Sequence, residues 1–266
     1  MTALSRCLGY SRQAYYKRQR WEAQRQSEEQ NVLENVRTIR LDQPRVGCRK
    51  LQRMIKPQGI GRDQLFDLLR RHKLLVKQRR NGHRTTYAGR VRYPNRIKGQ
   101  SLEALSKAMV ADITYIRTRE GYRYLFLVTH YVSRKILGYS LSADLTAQGG
   151  YDALQMALRE MPNAQGGIHH SDRGLQYGSH VITELAESRG MRMSMTEEDH
   201  VYENAVAERV NGILKAEFLL GEVLVSHASA QRQVAQAITI YNNERLHTSL
   251  AYETPAAMYQ KMCQLF

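Results

Sequence analysis

The sequence predicts an α/β protein with a mixed five-stranded sheet and flanking helices, preceded by an all-α region. Residues 1–75 show apolar residues at helical spacing only, whereas short β-branched runs alternate with amphipathic segments from residue 107 onward. Charge divides the chain similarly: residues 1–100 carry 25 Lys and Arg against 7 Asp and Glu, and residues 101–266 carry 15 against 18. The formal net charge of +15 is therefore concentrated in the helical part, which predicts a polyanionic partner.

The N-terminal segment is predicted to be helical. A short first helix is expected to end at Gly9, and Ser11 is the predicted N-cap of a second helix that ends near residue 20. Residues 21–42 predict a longer polar helix with apolar positions at helical spacing. Pro44 is expected to end it.

Residues 47–75 are predicted to form two short helices around a Pro/Gly turn, at 48–55 and 62–72. A short helix, a turn and an Arg-rich second helix are typical of a helix-turn-helix. An ordinary helical hairpin with a solvated basic face fits the pattern equally well. Residues 74–99 are basic and show little periodicity, so we interpret them as a linker that lies along DNA phosphates.

The remaining sequence predicts the order β-β-β-α-β-α-β-α, with a further helix near the C-terminus. Glu120 and Gly121 separate the first two strands and predict a hairpin turn. This order is that of the ribonuclease-H-like fold, a mixed sheet with helices on both faces. The expected strands lie at 108–116, 122–132, 135–142, 167–172 and 191–195, and the expected helices at 146–160, 180–189, 204–218 and 228–245.

These elements predict five regions along the chain. Cys7, Cys48 and Cys263 lie far apart, which argues against a zinc site or a disulfide framework and suits a reducing compartment. Without a signal peptide or a membrane-length apolar run, the chain is expected to be soluble and intracellular. The regions are an N-terminal basic helical region (1–44), a helix-turn-helix-like DNA-binding domain (45–85), a basic linker (86–106), a ribonuclease-H-like core (107–222) and a C-terminal helical tail (223–266).

Two aspartates stand out because of where the predicted strands place them. Asp112 lies inside an otherwise apolar strand, so it must be paired or bound to a metal, unless the strand is an edge and Asp112 faces solvent. Asp172 ends a strand and opens a polar loop, a position suited to catalysis, although turn and cap Asp residues are common. We do not assign His169 and His170 to a zinc site, because consecutive strand residues point to opposite faces.

A third carboxylate, Glu208, lies on the helix predicted at 204–218. The same face of that helix carries a polar stripe: Asn204, Asn211, Gly212 and Lys215. A solvated face would explain Glu208 and Lys215 but says little about the two Asn residues. Three carboxylates that converge from a central strand, a neighbouring strand end and a helix can hold two divalent cations, which promote phosphoryl transfer.

Five motifs give the chain a resemblance to a known family: VADITYI (110–116), HHSDRGLQYGS (169–179), ENAVAERVNGILKAEF (203–218), GCRKLQRMI (47–55) and YNNERLHTSLAYETPAAMY (241–259). With these motifs the chain resembles the DDE transposases of IS3-type insertion sequences, specifically the product of the second reading frame (OrfB). Glu208 follows Asp172 with 35 residues between them, which is the spacing of that family, and the nearest rival, Glu203, does not fit it.

The resemblance implies a retroviral-integrase-like core in which Asp112, Asp172 and Glu208 hold two Mg²⁺ ions, for which Mn²⁺ substitutes. It further implies 3′-end cleavage of an insertion sequence, followed by strand transfer to a second phosphodiester. Met109 stands where many relatives have Trp, and Ala251 where Gly is common. Neither departure removes a metal ligand.

The implied partners are double-stranded DNA (the terminal inverted repeats and the target) and further copies of the chain, at least a dimer. The product of the upstream reading frame (OrfA) is a third implied partner. The expected location is the cytoplasm of a prokaryote, at the nucleoid and away from membranes. Arg245 and His247 are expected either to contact DNA or to brace the core. The expected DNA-binding residues are Arg49, Lys50, Arg62, Lys77, Arg79, Arg80, Arg84, Arg92, Asn204 and Lys215.

Three other classes of protein compete with this interpretation. A retroviral-type integrase would share the core but should show an N-terminal His/Cys zinc site, which the sequence does not display. A helix-turn-helix regulator would explain the charge and leave the three carboxylates without a role. A structural nucleoid protein would explain only the charge.

Overall fold

The computed structural model describes residues 11–76, 93–197 and 203–265. It divides into two compact units, residues 1–78 and residues 79–266. No helix among the described residues combines the length and the apolar character needed to cross a membrane. The five predicted regions divide the chain more finely, and their boundaries stay predictions.

The first unit begins with one long helix, α1 (Arg12–Asp42). Ser11 caps it as predicted, because its side chain accepts a hydrogen bond from the backbone N–H of Ala14 at 3.1 Å. The predicted boundary near residue 20 is wrong. The helix continues because no Gly or Pro occurs between residues 12 and 42. The helix predicted before Gly9 lies outside the described residues.

Two short helices follow, α2 (Cys48–Ile55) and α3 (Arg62–Arg71), which confirms both predictions. Gly59 supplies the left-handed backbone of the turn between them, with φ of 69°. All three helices share one hydrophobic core, so the α2–α3 pair does not stand alone. The buried core residues are Val32, Leu33, Val36, Val46, Leu51, Ile60, Leu65, Leu68 and Leu69.

The second unit contains five strands: β1 (Ala108–Thr118), β2 (Gly121–His130), β3 (Ile136–Ser142), β4 (Ile168–Ser171) and β5 (Arg192–Met195). They form one sheet in the order β3-β2-β1-β4-β5. The pairs β1–β2 and β2–β3 are antiparallel, whereas β1–β4 and β4–β5 are parallel. This is the predicted mixed five-stranded sheet of a ribonuclease-H-like fold, with β1 at its centre.

The four helices predicted for this unit are present, and each predicted end lies within two residues of the observed one. They are α4 (Ala147–Glu160), α5 (His180–Ser188), α6 (Ala205–Glu217) and α7 (His227–Asn243). The tail holds two elements that were not predicted, a 3-10 turn (Thr248–Leu250) and a last helix, α8 (Pro255–Leu265). Pro255 begins α8, since the first turn of a helix tolerates proline.

Helices cover both faces of the sheet. α4 and α5 pack on one face in a core that includes Met109 and Phe126. α6 and α7 pack on the other face in a core that includes Ile116 and Leu125. Because side chains alternate along a strand, Asp112 belongs to the same face of β1 as Ile116, which is the α6 face.

One close approach holds β3 against α4. A Cβ on Gly138 would lie 2.0 Å from the carbonyl oxygen of Ala153 and 2.6 Å from the backbone nitrogen of Ala157. Backbone atoms cannot rotate away, so we expect Gly138→Ala to lower the free energy of unfolding by about 2 kcal/mol or more.

Chemical denaturation measures this effect. Gly212→Ala is the control, because a Cβ there meets nothing within 4 Å, and it should raise the free energy of unfolding by up to about 1 kcal/mol. A Gly138→Ala variant as stable as the parent would contradict the packing of β3 on α4.

Candidate active site

The two aspartates meet at the point where the parallel ladder between β1 and β4 ends. The register pairs Ala108 with Ile168 and continues to Ala111 with Ser171. One step further, the same offset brings Asp112 opposite Asp172. Because β1 is the central strand, the alternative that Asp112 lies on a solvent-facing edge is wrong.

Both oxygens of Asp112 accept hydrogen bonds. The backbone N–H of Ile113 donates to Oδ1 at 2.9 Å, and the side-chain amide of Asn211 donates to Oδ2 at 2.7 Å. Burial raises the pKa of Asp112 to about 7, and the negative charges of Asp172 and Glu208 add to the rise. The two hydrogen bonds oppose it without cancelling it. The site therefore holds more negative charge than its own residues balance.

Asp172 has a second role in the loop that it opens. Its Oδ1 accepts a hydrogen bond from the backbone N–H of Gly174 at 2.9 Å, which is a turn interaction. Asp172 therefore does act as a turn residue, which was the alternative interpretation of this position. This turn interaction coexists with the position of Asp172 opposite Asp112.

Helix α6 lies across this site and presents its polar stripe to β1. Asn204 and Asn211 are 4% and 5% exposed, so a solvated face does not explain these two residues, whereas Glu208 on the same stripe is exposed. Asn204 donates its amide hydrogen to the carbonyl oxygen of Ala111 at 3.2 Å. Lys215 is half-buried, and burial lowers the pKa of its ammonium group while the charge of Asp112 opposes that change.

Glu208 is exposed in the first turn of α6 and acts electrostatically on Asp112. Within residues 11–76, 93–197 and 203–265, no three His, Cys, Asp or Glu side chains are grouped closely enough to hold one metal ion. Mutual repulsion among three carboxylates favours this separation. The chemistry of the donor set nevertheless suits a hard cation, which takes oxygen ligands and would balance the excess negative charge.

Glu203, the rival of Glu208, belongs to a different group of contacts. Its Oε2 accepts a hydrogen bond from the backbone N–H of Glu197 at 2.6 Å. Its Oε1 lies 3.6 Å from the ammonium nitrogen of Lys98. These contacts anchor the start of α6 to the segment that follows β5.

The prediction that His169 and His170 point to opposite faces is confirmed. His170 lies 2.8 Å from the hydroxyl of Ser194 through Nδ1, on the α6 side of the sheet. His169 packs on the other side with its ring centroid 6.2 Å from that of Tyr177. Burial lowers the pKa of both imidazoles to about 4.

The C-terminal motif braces the core. Arg245 is 3% exposed and donates from Nε and Nη2 to the two carboxylate oxygens of Glu217, at 2.9 and 2.7 Å. Glu217 is the last residue of α6, so this pair ties the helix to the tail. His247 packs edge-on against Tyr241 at 5.1 Å. Of the two expectations for Arg245 and His247, the bracing role is the one these contacts support.

Asn242 connects α7 to strand β3 of the sheet. Its side-chain amide donates to the carbonyl oxygen of Ile136 and accepts from the N–H of Ile136, both at 2.9 Å. Asn242 belongs to the C-terminal motif at 241–259, so part of that motif serves to attach the tail to the sheet. Sequence reasoning missed Asn242 as a contact and missed Asn211 as the partner of Asp112. For Asn211, the polar stripe on α6 was the available signal.

The predicted DNA-binding residues fall into two groups. Arg49 is exposed on α2 and Lys50 is half-buried beside it. Arg62 is exposed at the start of α3, where it pairs with Asp63 at 2.8 Å. Lys215 lies on α6, whereas five further basic residues of the prediction lie outside the described residues: Lys77, Arg79, Arg80, Arg84 and Arg92.

The pKa of Asp112 predicts how stability depends on pH without metal. It is about 7 in the folded state and 3.8 ordinarily, so the folded protein keeps a proton that the unfolded chain releases. The contribution of Asp112 is therefore most favourable below pH 4 and is lost as the pH rises to about 7. Above pH 7, Asp112→Asn should be the more stable protein by a few kcal/mol, since each pH unit between the two pKa values is worth about 1.4 kcal/mol.

Urea unfolding at pH 4 and pH 8 with a chelator present tests this expectation. The parent and Asp112→Asn should have similar stability at pH 4 and differ at pH 8. Asp152→Asn, an exposed aspartate on α4, is the control and should show no such difference. Identical pH profiles of the parent and Asp112→Asn would contradict an unbalanced buried charge.

Comparisons with known families identify the second unit. Two family models, both described as integrase core domain, match residues 106–200 and 189–255. Two solved structures show a more distant likeness. The simian T-cell lymphotropic virus intasome in complex with PP2A regulatory subunit B56 gamma is 15% identical, with a TM-score of 0.49 over 80% of this chain and 70% of that one. The HTLV-2 integrase catalytic core domain in complex with magnesium is 16% identical, with a TM-score of 0.46 over 57% and 95%.

Curated relatives extend the similarity along the chain. The insertion element IS600 uncharacterized 31 kDa protein of Shigella sonnei is 33% identical over 97% of this chain and 98% of its own length. The transposase InsF for insertion sequence IS3A of Escherichia coli (strain K12) is 38% identical over 52% of this chain and 48% of its own length. The transposase for insertion sequence element IS629 of Shigella sonnei is 29% identical over 79% and 72%. The chain therefore belongs to the IS3 family of transposases, DDE polynucleotidyl transferases with an integrase core domain.

Proposed function

We propose that this transposase cleaves the 3′ ends of an insertion sequence and transfers them to a second DNA strand, using Asp112, Asp172 and Glu208 as metal ligands. The observation that supports this most is the meeting of Asp112 and Asp172 at the end of the β1–β4 ladder, with α6 across from them. A DNA-binding regulator would not need two half-buried aspartates side by side. A bound cation would balance the two negative charges and so offset the free-energy cost of removing them from water.

The three carboxylates supply the oxygen ligands that Mg²⁺ prefers, and Mn²⁺ is expected to substitute. When two such ions are bound, they lower the energy of the attacking and the leaving oxygen in phosphoryl transfer. The chain itself orients the ligands. Asn211 fixes Oδ2 of Asp112, and the N–H of Gly174 fixes Oδ1 of Asp172. Glu208 reaches the site from α6.

Lys215 is positioned to bind a phosphate next to the carboxylates. Its stem is half-buried and its ammonium group interacts with Asp112, one turn beyond Asn211 on the same helix. A cation held beside the metal ligands can neutralise a scissile or neighbouring phosphate. Asn204, in contrast, uses its amide hydrogen on β1, so its contribution to DNA binding would come through its carbonyl oxygen.

The basic residues of the first unit and the linker would hold the DNA. Arg49 and Arg62 are exposed on α2 and α3, the two helices of the helix-turn-helix candidate. The substrates would be the terminal inverted repeats of the element and a target duplex. Joining two ends requires at least two active sites, so we expect a dimer or larger assembly on DNA, with the upstream-frame product as a further partner.

Strand cleavage tests the catalytic assignment. On DNA that carries the element ends, with Mg²⁺ or Mn²⁺, Asp172→Asn and Glu208→Gln should each lose activity by at least about 100-fold, because each removes a metal ligand. Glu203→Gln is the matched control and should retain most of the activity. Cleavage by Asp172→Asn at the rate of the parent would overturn the assignment.

The salt dependence of DNA binding tests the role of the linker. Each phosphate contact contributes about one unit to the slope of log affinity against log salt. Changing Lys77, Arg79 and Arg80 to Gln should therefore weaken binding and reduce the slope by up to about three. Lys77→Arg, Arg79→Lys and Arg80→Lys keep the charge and should keep the slope. An unchanged slope in the neutral variant would remove the linker from the DNA-binding surface.

A further inference from the structure

The hairpin of β1 and β2 carries a group of aromatic side chains that the proposed mechanism does not use. Tyr115 pairs with Tyr124 across the two strands, and Arg117 pairs with Tyr122. Directly paired residues, and residues two apart on one strand, lie on the same face of a sheet. These four side chains therefore form one continuous surface, the tyrosine patch: Tyr115, Arg117, Tyr122 and Tyr124.

The three rings of the patch pack edge to face. The ring centroid of Tyr115 lies 5.3 Å from that of Tyr124 and 6.2 Å from that of Tyr122, with interplanar angles of 68° and 88°. Tyr122 is nevertheless 56% exposed. An aromatic group that stays exposed on a rigid hairpin is a candidate binding surface.

The patch and the tip of the hairpin are basic. Arg117 and Arg119 are exposed, and neither forms an ion pair with an acidic side chain in the described part of the chain. Glu120, the acidic residue at the tip, is engaged by Arg123 at 3.3 Å and by the N–H of His227 at 2.9 Å. Residues 101–266 hold more acidic than basic residues, so two uncompensated arginines here favour an anionic partner.

The patch lies on the same strand as the first catalytic aspartate. Tyr115 is three residues beyond Asp112, which is about 10 Å along an extended strand, and it faces the α4 side of the sheet whereas Asp112 faces α6. The ladder with β4 stops at Ala111. Beyond it, among the described residues, this side of β1 has no strand partner until Thr118 meets Leu224. A DNA strand would pass this edge of β1 on its way from the carboxylates to the patch.

We propose that the tyrosine patch binds an unpaired nucleotide of the DNA strand next to the cleaved phosphodiester, with its base on the ring of Tyr122 and a phosphate at Arg117. Bases inside a duplex are covered on both faces by their neighbours, so an unpaired base is the one that offers a free face. Aromatic rings stack on any base, and arginine supplies the phosphate contact. The proposal rests on the proposed function, in which DNA is cut at the three carboxylates.

DNA binding without divalent cations tests the patch separately from cleavage. The probe is a duplex that carries an element end, either blunt or with a short oligothymidine overhang, and the readout is fluorescence anisotropy. The parent should bind the overhang duplex more tightly than the blunt one. Tyr122→Ala should lose roughly 10-fold in affinity for the overhang duplex and little for the blunt one, because it removes one stacking ring. Tyr122→Phe keeps the ring and should bind both duplexes like the parent.

Arg117→Gln tests the phosphate contact. It should reduce the slope of log affinity against log salt for the overhang duplex by about one. Arg232→Gln is the matched control, because it removes the same charge from an exposed position on α7, and it should leave the slope unchanged. Equal reductions in the two variants would overturn the contact at Arg117, since the loss of net charge would then explain both.

Three results would overturn the stacking role. The first is a parent that binds both duplexes equally, and the second is a Tyr122→Ala variant that weakens both by the same factor. The third is a change in the oligomeric state of Tyr122→Ala in sedimentation without DNA, which would make the patch an interface between copies of the chain.

Asp172→Asn separates this proposal from the proposed function. If Asp172→Asn cleaves DNA at the rate of the parent, the metal site is wrong. A preference for the overhang duplex that disappears in Tyr122→Ala would still show that the patch binds an unpaired base, because that measurement requires neither metal nor cleavage.

Discussion

The register between β1 and β4 is the constraint on which the rest of the site depends. The parallel ladder stops at Ala111 and Ser171, so the next residue on each strand, Asp112 and Asp172, lies beside the other without backbone pairing. Two carboxylates then lie side by side in a largely buried position at the centre of the sheet. Asn211 donates a hydrogen bond to Asp112, and the N–H of Gly174 donates one to Asp172.

The position of α6 follows from contacts at both of its ends. Asn204 binds the backbone of β1 at the N-terminal end, and Glu217 is held by Arg245 at the C-terminal end. In the proposed mechanism α6 carries a metal ligand and a phosphate-binding ammonium group, and such groups must be held to within about 0.5 Å. The contact of Arg245 with Glu217 would serve that placement without touching the reacting groups.

Most of the fold could be predicted from the sequence because the signals are local. In the part of the chain that the structure describes, apolar alternation, glycine and proline positions and helix caps predicted every strand and seven of the eight α-helices, among them α2 at its observed bounds. The error near residue 20 came from splitting a helix that contains no breaking residue. The last helix was missed because its apolar face is defined by Tyr259 and Met262 against a core assembled elsewhere.

The contacts that complete the site could not be predicted in the same way. Asn211 and Asp112 are 99 residues apart in sequence, and Asn242 and Ile136 are 106 apart. Such pairs depend on the three-dimensional arrangement of elements, and no periodicity encodes them. The three carboxylates were predicted from motif spacing, whereas Asn211, the neutral partner of Asp112, has no spacing rule of its own.

The amide of Asn242 has a consequence for how copies of the protein can meet. β3 is an edge strand, and an exposed edge is a template on which a strand from another molecule can add. Asn242 occupies both the donor and the acceptor of Ile136, so this part of the edge is already satisfied within the chain. A strand from another molecule could pair with Ile136 only after the amide of Asn242 had left, so joining of two sheets at this point is disfavoured.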